Sequence, residues 1–258
     1  MHPTTPPAAA QSEARSSQQV EGPTPDRVDW VGVARELGPD FAARAAAQDA
    51  EDAFVAENYA ALKARRVFSA GVPAELGGGG ASYAELCALL RHLARDCGST
   101  ALALAMHTHL LATTIWRWKQ GQPVEPLLRR VAAEQLVLVS TGASDWLDSS
   151  GEAVAVEGGV RVTGRKTFCS GAPAGSLLIT TAPLAAPLAD PVAGPTVLHF
   201  PVPFAAPGVE VQETWRTLGM RATGSHDVVL DGVFVPEAAV SLRRPRGQWH
   251  PFYNVVVA

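Results

Sequence analysis

Apolar positions along the chain change their period once, near residue 136. From about residue 28 to 135 they recur every three to four residues, the spacing of helices with one buried face. Trp30, Val33, Ala34 and Leu37 mark a short first helix. Gly38-Pro39 is expected to end or kink it, and Pro39 suits the first turn of an Ala-rich continuation to Ala47. A second helix is expected over Asp52 to Arg66, on Phe54, Ala56, Tyr59 and Leu62. Pro73 and the glycines of FSAGVPAELGGGG break the pattern. Ser82 and Glu85 then have the spacing of a capping box, ahead of a face made by Leu86, Leu89, Leu90 and Leu93. Cys97-Gly98 closes that helix. An uncharged segment, Ser99 to Trp116, opens the next, and Val124 to Glu134 is a shorter amphipathic piece.

Beyond residue 136 the apolar positions alternate. LVLVST, EAVAVEGGVRVTG, GSLLITTA, TVLHFPV, GVEVQE and HDVVLDGVFVP are short β-branched runs separated by Gly, Pro or Asp turns. Glu157-Gly158-Gly159 suits a hairpin turn, and the Pro/Ala-rich stretch 182–195 reads as a surface loop. The expected class is α+β: an N-terminal all-helical domain, then an antiparallel β-sandwich or barrel. The boundaries read 1–27 for a disordered tail, 28–135 for the helical domain, 136–245 for the middle β-domain, and 246–258 for the start of a further helical domain. The apolar run into Ala258 has no cap or turn after it, so that last domain reads as cut short.

Composition changes this picture little. The 258 residues are 47% hydrophobic and 18% charged, enough for a sizeable core. A formal net charge of −4 gives no general attraction to nucleic acid or anionic lipid. The cysteines, Cys87, Cys97 and Cys169, lack metal-ligand spacing, so no metal is expected and a reduced, cytoplasmic protein is. Residues 1–27 have no apolar core segment and read as a tail rather than a signal peptide. Ser99 to Trp116 approaches the length of a membrane span, but its histidines and threonines fit a helix buried among helices better.

Several stretches invite chemistry. GMRATGS (219–225) and GVRVTGRK (159–166) nearly match a phosphate loop, yet both lie in strand patterns rather than at a helix N-terminus, so ordinary turn glycines explain them. No strand-GxGxxG-helix unit is present. In GRKTFCSGA (164–172), alternation puts Lys166 on the face opposite Cys169 and makes Cys169 a small packed side chain. The same alternation gives Lys166, Phe168 and Ser170 one face, where an aromatic and a hydroxyl could flank a flat ligand. His107 and His109 are too close in sequence to share a helix face, so they form no paired metal site. Asp145 and Asp148 suit turn and cap duties as well as catalysis. Arg221 could hold an anion or brace a turn.

Laid out together, GVPAELGGGGASYAEL, VLVSTGASD, GRKTFCSGA and LGMRATGSHDVVLDGVFVP resemble, in order, the motifs of the acyl-CoA dehydrogenase family over about residues 30 to 258. That resemblance implies an FAD-dependent oxidoreductase that removes an α proton and passes the β hydride of an acyl thioester to the flavin. It implies flavin contacts from Val139, Ser140, Phe168 and Ser170, with Ser144 and Arg221 toward the phosphates or substrate. The partners implied are a small molecule, possibly acyl-CoA, and further copies of the chain in a homo-oligomer. The family's glutamate base belongs to a C-terminal bundle and would lie beyond Ala258, so the catalytic base is unknown and the chain reads as truncated. Phe-Cys-Ser-Gly, however, is more similar to the flavin-dependent monooxygenase branch, where FMN is the alternative cofactor. There a histidine on the central helix can face the flavin, which favours His107 over His109. A non-catalytic remnant is the reading from another class.

Overall fold

A computed structural model describes residues 28–185, 195–251, 253 and 254. The tail 1–27 and most of the Pro/Ala-rich stretch lie outside the described residues. So do residues 255–258, and with them Ala258, the point at which a further helical domain is expected to be cut short. Helix α1 spans Trp30–Ala50, and the Asp29 carboxylate caps it by accepting from Gly32 N at 2.8 Å. It does not end at Gly38-Pro39 but runs through Pro39. The apolar stripe continues on the far side with Phe41, fully buried, and that packing outweighs the backbone bond that proline cannot make. The helix stops at Asp52, whose φ of 55° is left-handed, so α2 is shorter than expected at Ala56–Ala64.

Helix α3 (Tyr83–Asp96) begins with the expected box: Glu85 N donates to Ser82 Oγ at 3.3 Å, and Ser82 N donates to Glu85 Oε2 at 2.8 Å. Replacing Ser82 with alanine is expected to cost about 1 kcal/mol, read as a lower urea midpoint with an unchanged slope. Helix α4 (Gly98–Lys119) is the uncharged segment. It buries Ala101, Ala103, Leu104 and Leu111, and lies between α3 and the first strand. No helix among the described residues is long and apolar enough to cross a membrane. Helix α5 (Glu125–Glu134) completes the helical part.

The strands form two four-stranded sheets. Strands β1 (Leu138–Ser140), β4 (Leu177–Pro183), β5 (Thr196–Pro203) and β8 (Leu242–Pro245) lie side by side in that order in the first. The second has the order β2 (Glu152–Val156), β3 (Gly159–Cys169), β7 (His226–Pro236), β6 (Val209–Gln212). Pairing is antiparallel except for β1, which runs parallel to β4, and neither sheet closes into a barrel. Gly158, at φ 76°, makes the expected turn between β2 and β3. Val160, Val162, Val228 and Leu230 of one sheet share a core with Leu178, Leu198 and Phe200 of the other, and with Phe41, Leu62 and Leu93 of the helices. The helical and sheet layers are therefore joined by one apolar interior.

Candidate flavin wall and adjoining cavity

Strand β3 alternates regularly as far as Lys166, and there its register with β7 slips before Cys169. The slip is a bulge, and Phe168 takes the extra residue with a left-handed φ of 57°. A bulky aromatic in that region is strained, which is characteristic of a constrained site. The bulge overturns the expected alternation. Lys166 and Cys169 both turn inward, fully buried, while Phe168 turns outward and is 58% exposed. Lys166, Phe168 and Ser170 do not share a face, although Phe168 and Ser170 stay together at the end of the strand.

Around Phe168 the chain builds a wall. The Trp215 ring meets the Phe168 ring edge-on, with centroids 5.9 Å apart, and Trp215 Nε1 donates to Met220 O at 3.0 Å. Gly142 N donates to Thr167 O at 2.9 Å, and a Cβ on Gly142 would lie 3.0 Å from Phe168 Cδ2, so a larger residue there would press on the ring. Beside them, Ser170 Oγ is 2.8 Å from Ser225 Oγ, which is 2.6 Å from Thr223 Oγ1. Thr223 and Ser225 come from GMRATGS; its hydroxyls, rather than its glycines, bring it to the site.

Ser140 and Thr141, just before Gly142, line a cavity of about 310 Å³. Its other walls include His109 and Trp116 from α4, Thr180 and Thr181 from β4, and His199 from β5. Thr180 Oγ1 is buried there without a hydrogen-bond partner among the described residues. Burial holds His109 down at about pKa 4, against its bond to the Ala105 backbone. Burial, reinforced by Arg244, takes His199 to about 3. Both imidazoles are neutral at pH 7, so they add hydrogen-bonding edges and no charge.

His107 lies elsewhere. It is buried between Phe68 O, 2.8 Å from Nε2, and Leu138 N, which donates to Nδ1 at 3.0 Å. An Nδ1 that accepts leaves Nε2 as the donor, so the imidazole is neutral and both edges are occupied. Burial lowers it to about pKa 4, opposed in part by the Phe68 bond. It ties α4 to β1, and the histidine that reaches the cavity is His109, the reverse of the expected preference. Helix phase relative to the core makes that choice, and a segment apolar all round carries no signal of it.

The turn 141–151 is held from both sheets by buried cations. Lys166 Nζ bonds Asp145 Oδ2 at 3.1 Å, Ser150 O at 2.7 Å and Thr181 O at 2.5 Å. Desolvation lowers the lysine's pKa, and Asp145 opposes it. From β8, Arg244 donates to Leu147 O at 2.7 Å, to Asp145 O at 3.1 Å and to His199 Nε2 at 3.0 Å. Asp145 also accepts from Ser150 N at 2.9 Å, the turn duty expected of it. Asp148 is exposed. Cys169 is packed as expected, its thiol pushed up to about 12 by burial and then by Asp145 and Asp227.

Among the other expected site residues, Val139 is fully buried and pairs with Leu178. Ser144 sits in the turn 143–146, its side chain outside the described residues. Arg221 donates to Asp49 O at 2.6 Å and to Thr217 O at 3.2 Å, and pairs with Asp52 at 3.0 Å. It acts as the brace of a turn rather than as a free guanidinium. A glutamate base expected beyond Ala258 has no counterpart in the described residues, and no carboxylate among them is assigned that role. No group of three or more His, Cys, Asp or Glu that could hold a metal occurs among the described residues.

Helices ahead of two facing sheets, with an aromatic and a hydroxyl at the bulged end of the long strand, define an acyl-CoA dehydrogenase-type fold. Residues 28–135 match the family described as acyl-CoA dehydrogenase, N-terminal domain. It is 32% identical to the amino sugar nitrososynthase RubN8 of Streptomyces rubradiris, over 77% of this chain and 47% of the relative. It is 28% identical to the probable FMNH2-dependent monooxygenase SfnC of Pseudomonas putida, over 80% of this chain and 50% of the relative. Among solved structures, KijD3 in complex with FMN and a dTDP-linked amino sugar superposes with a TM-score of 0.76 at 28% identity, covering 88% of this chain and 56% of that one. The chain thus spans about half the length of the relatives it matches.

Proposed function

We propose that this chain forms the flavin-contacting part of a flavin-dependent monooxygenase of the acyl-CoA dehydrogenase superfamily, with FMN as the flavin. The observation that carries this reading is the bulge that turns Phe168 outward beside Ser170. An exposed aromatic, a hydroxyl and a close-passing glycine backbone suit a flat, polar-edged ring. The relatives named a nitrososynthase and an FMNH2-dependent monooxygenase support hydroxylation over the dehydrogenation of an acyl thioester with FAD that the motifs first suggest.

When bound, reduced flavin supplies two electrons to dioxygen, so that one oxygen atom enters the substrate and the other leaves as water. On this reading Phe168 and Trp215 cover one side of the ring and Ser170 meets its polar edge. The adjoining cavity takes the substrate. Its neutral His109 and His199 and the unpartnered Thr180 hydroxyl suit a small molecule recognised by hydrogen bonds rather than by charge.

Anaerobic titration with FMN and FMNH2, followed by tryptophan fluorescence, tests the reading. Saturable micromolar binding is expected, and Phe168→Ala should weaken it by about tenfold through the lost ring contact. A chain that binds neither form, or a Phe168→Ala variant that binds as tightly as the parent, would sink it.

A further inference from the structure

Trp215 stands at the start of a loop with little apolar packing of its own. Before the loop ends at Arg221, Leu218 is fully exposed and Met220 is exposed as well, so polar contacts set its course. Its first end is pinned to β7: Trp215 N donates to His226 Nδ1 at 3.1 Å, and Asp227 N donates to Thr214 Oγ1 at 3.0 Å. Its second end seats where α1 gives way to α2. There Val55 N donates to Ala222 O at 3.3 Å, and Arg221 donates to Asp49 O at 2.6 Å. Asp52 joins the two ends. Arg221 Nη2 lies 3.0 Å from its Oδ1, and Arg216 Nη1 lies 3.2 Å from its Oδ2. Oδ1 is buried and makes no aligned hydrogen bond among the described residues, so Arg221 holds it by charge. The left-handed backbone at Asp52 suits Asp, Asn or Gly alike, so backbone shape alone does not call for a carboxylate.

From this geometry we infer that Asp52 is a positioning residue for the flavin wall: clamped between Arg216 and Arg221, it sets the Trp215 indole against Phe168. The inference rests on the flavin reading above and extends it from the sheets to the helical layer. Arg221 opens a short turn, Arg221–Thr223, and the carbonyl just before it, Met220 O, accepts from Trp215 Nε1 at 3.0 Å. That carbonyl also accepts from Thr223 N at 3.3 Å and from Thr223 Oγ1 at 3.0 Å, so it moves with the turn as one body. Asp52 seats the turn, the turn carries the carbonyl, and the carbonyl fixes the plane of the indole that meets Phe168 edge-on. His226 holds the Trp215 backbone whether or not residue 52 is charged. The carboxylate adds the orientation of the ring. Of its two arms the Arg221 side chain is 31% exposed and the Arg216 side chain 62%, so the inner arm is the less screened and carries more of the effect.

The test is a double-mutant cycle on the Kd for FMN, followed by flavin absorbance on the 258-residue chain. Asp52→Asn keeps the size and the left-handed backbone and removes only the charge. It is expected to weaken FMN binding by about fivefold. Trp215→Ala should weaken it by about tenfold, and adding Asp52→Asn to that variant should change the Kd by less than about 1.5-fold. Asp52→Gly should match Asp52→Asn, which assigns the effect to the carboxylate, and it serves if the asparagine variant does not fold. Near-ultraviolet circular dichroism of the flavin-free chain should change with Asp52→Asn only while Trp215 is present. A merely structural role would weaken binding equally with and without Trp215. That result, parent-like binding by both Asp52 variants or by Trp215→Ala, or an unchanged dichroism spectrum would overturn the inference while the flavin site stands. If the parent does not bind FMN, both fall.

Discussion

Lys166→Met is expected to destabilise the fold by about 3–5 kcal/mol, the cost of leaving a buried charge without its partner. The ammonium is fully buried and bonds the Asp145 carboxylate and the carbonyls of Ser150 and Thr181. Methionine fills the same volume and satisfies none of them. Asp145, 4% exposed, would keep its bonds from Ser150 but lose its counter-ion. Arg165, the adjacent cation, is the control. It pairs with Asp227 from an exposed position, so Arg165→Met should cost under about 1 kcal/mol. Urea midpoints of the two variants measure the contrast, and equal midpoints would show that burial does not set the value of these pairs. Combining Lys166→Met with Asp145→Leu should cost at least about 1 kcal/mol less than the sum of the single changes, because the partners are coupled.

Acid should unfold the protein through its buried histidines before most carboxylates titrate. His107 is held at about pKa 4 in the fold and returns to about 6.5 on unfolding. Between those values the unfolded chain binds the extra proton, so stability falls as pH falls. The contribution is fully present above about pH 6.5 and lost as pH drops toward 4, about 3 kcal/mol over the whole window and about 2 kcal/mol by pH 5. His199, at about 3, acts in the same direction. Protonation would set an N–H on His107 Nδ1 against the Leu138 N–H that now donates to it. His107→Gln, whose amide can serve both partners, should flatten the decline between pH 7 and pH 5. Parallel urea-midpoint profiles for the parent and the glutamine variant would remove His107 from the account.

Local chemistry was legible in the sequence wherever a few adjacent residues settle it. Ser82 and Glu85 cap α3 because a spacing of three positions puts each side chain over the other's N–H. Gly158 turns β2 into β3 because glycine takes positive φ freely. The order of the motifs, helices first and strands after, placed Phe168 and Ser170 together at a strand end. Other features depend on partners far along the chain. Pro39 stays inside α1 because Phe41 packs beyond it, a tertiary gain that a breaker rule does not weigh.

Neighbouring residues alone were enough for the two periods, the caps and turns, and a strand end bearing an aromatic and a hydroxyl, since each follows from bonds and sterics within a short span. Which way those side chains face is settled by the folded whole. Lys166 faces in by the regular alternation, and the bulge against β7 beyond it sends Phe168 out and Cys169 in, because register is a property of the strand pair and one slipped residue reverses the side chains beyond it. The core fixes the phase of α4, burying His107 and turning His109 to the cavity. Ser170 meets the Ser225 and Thr223 hydroxyls only in the folded chain, because they come from positions more than fifty residues along the sequence.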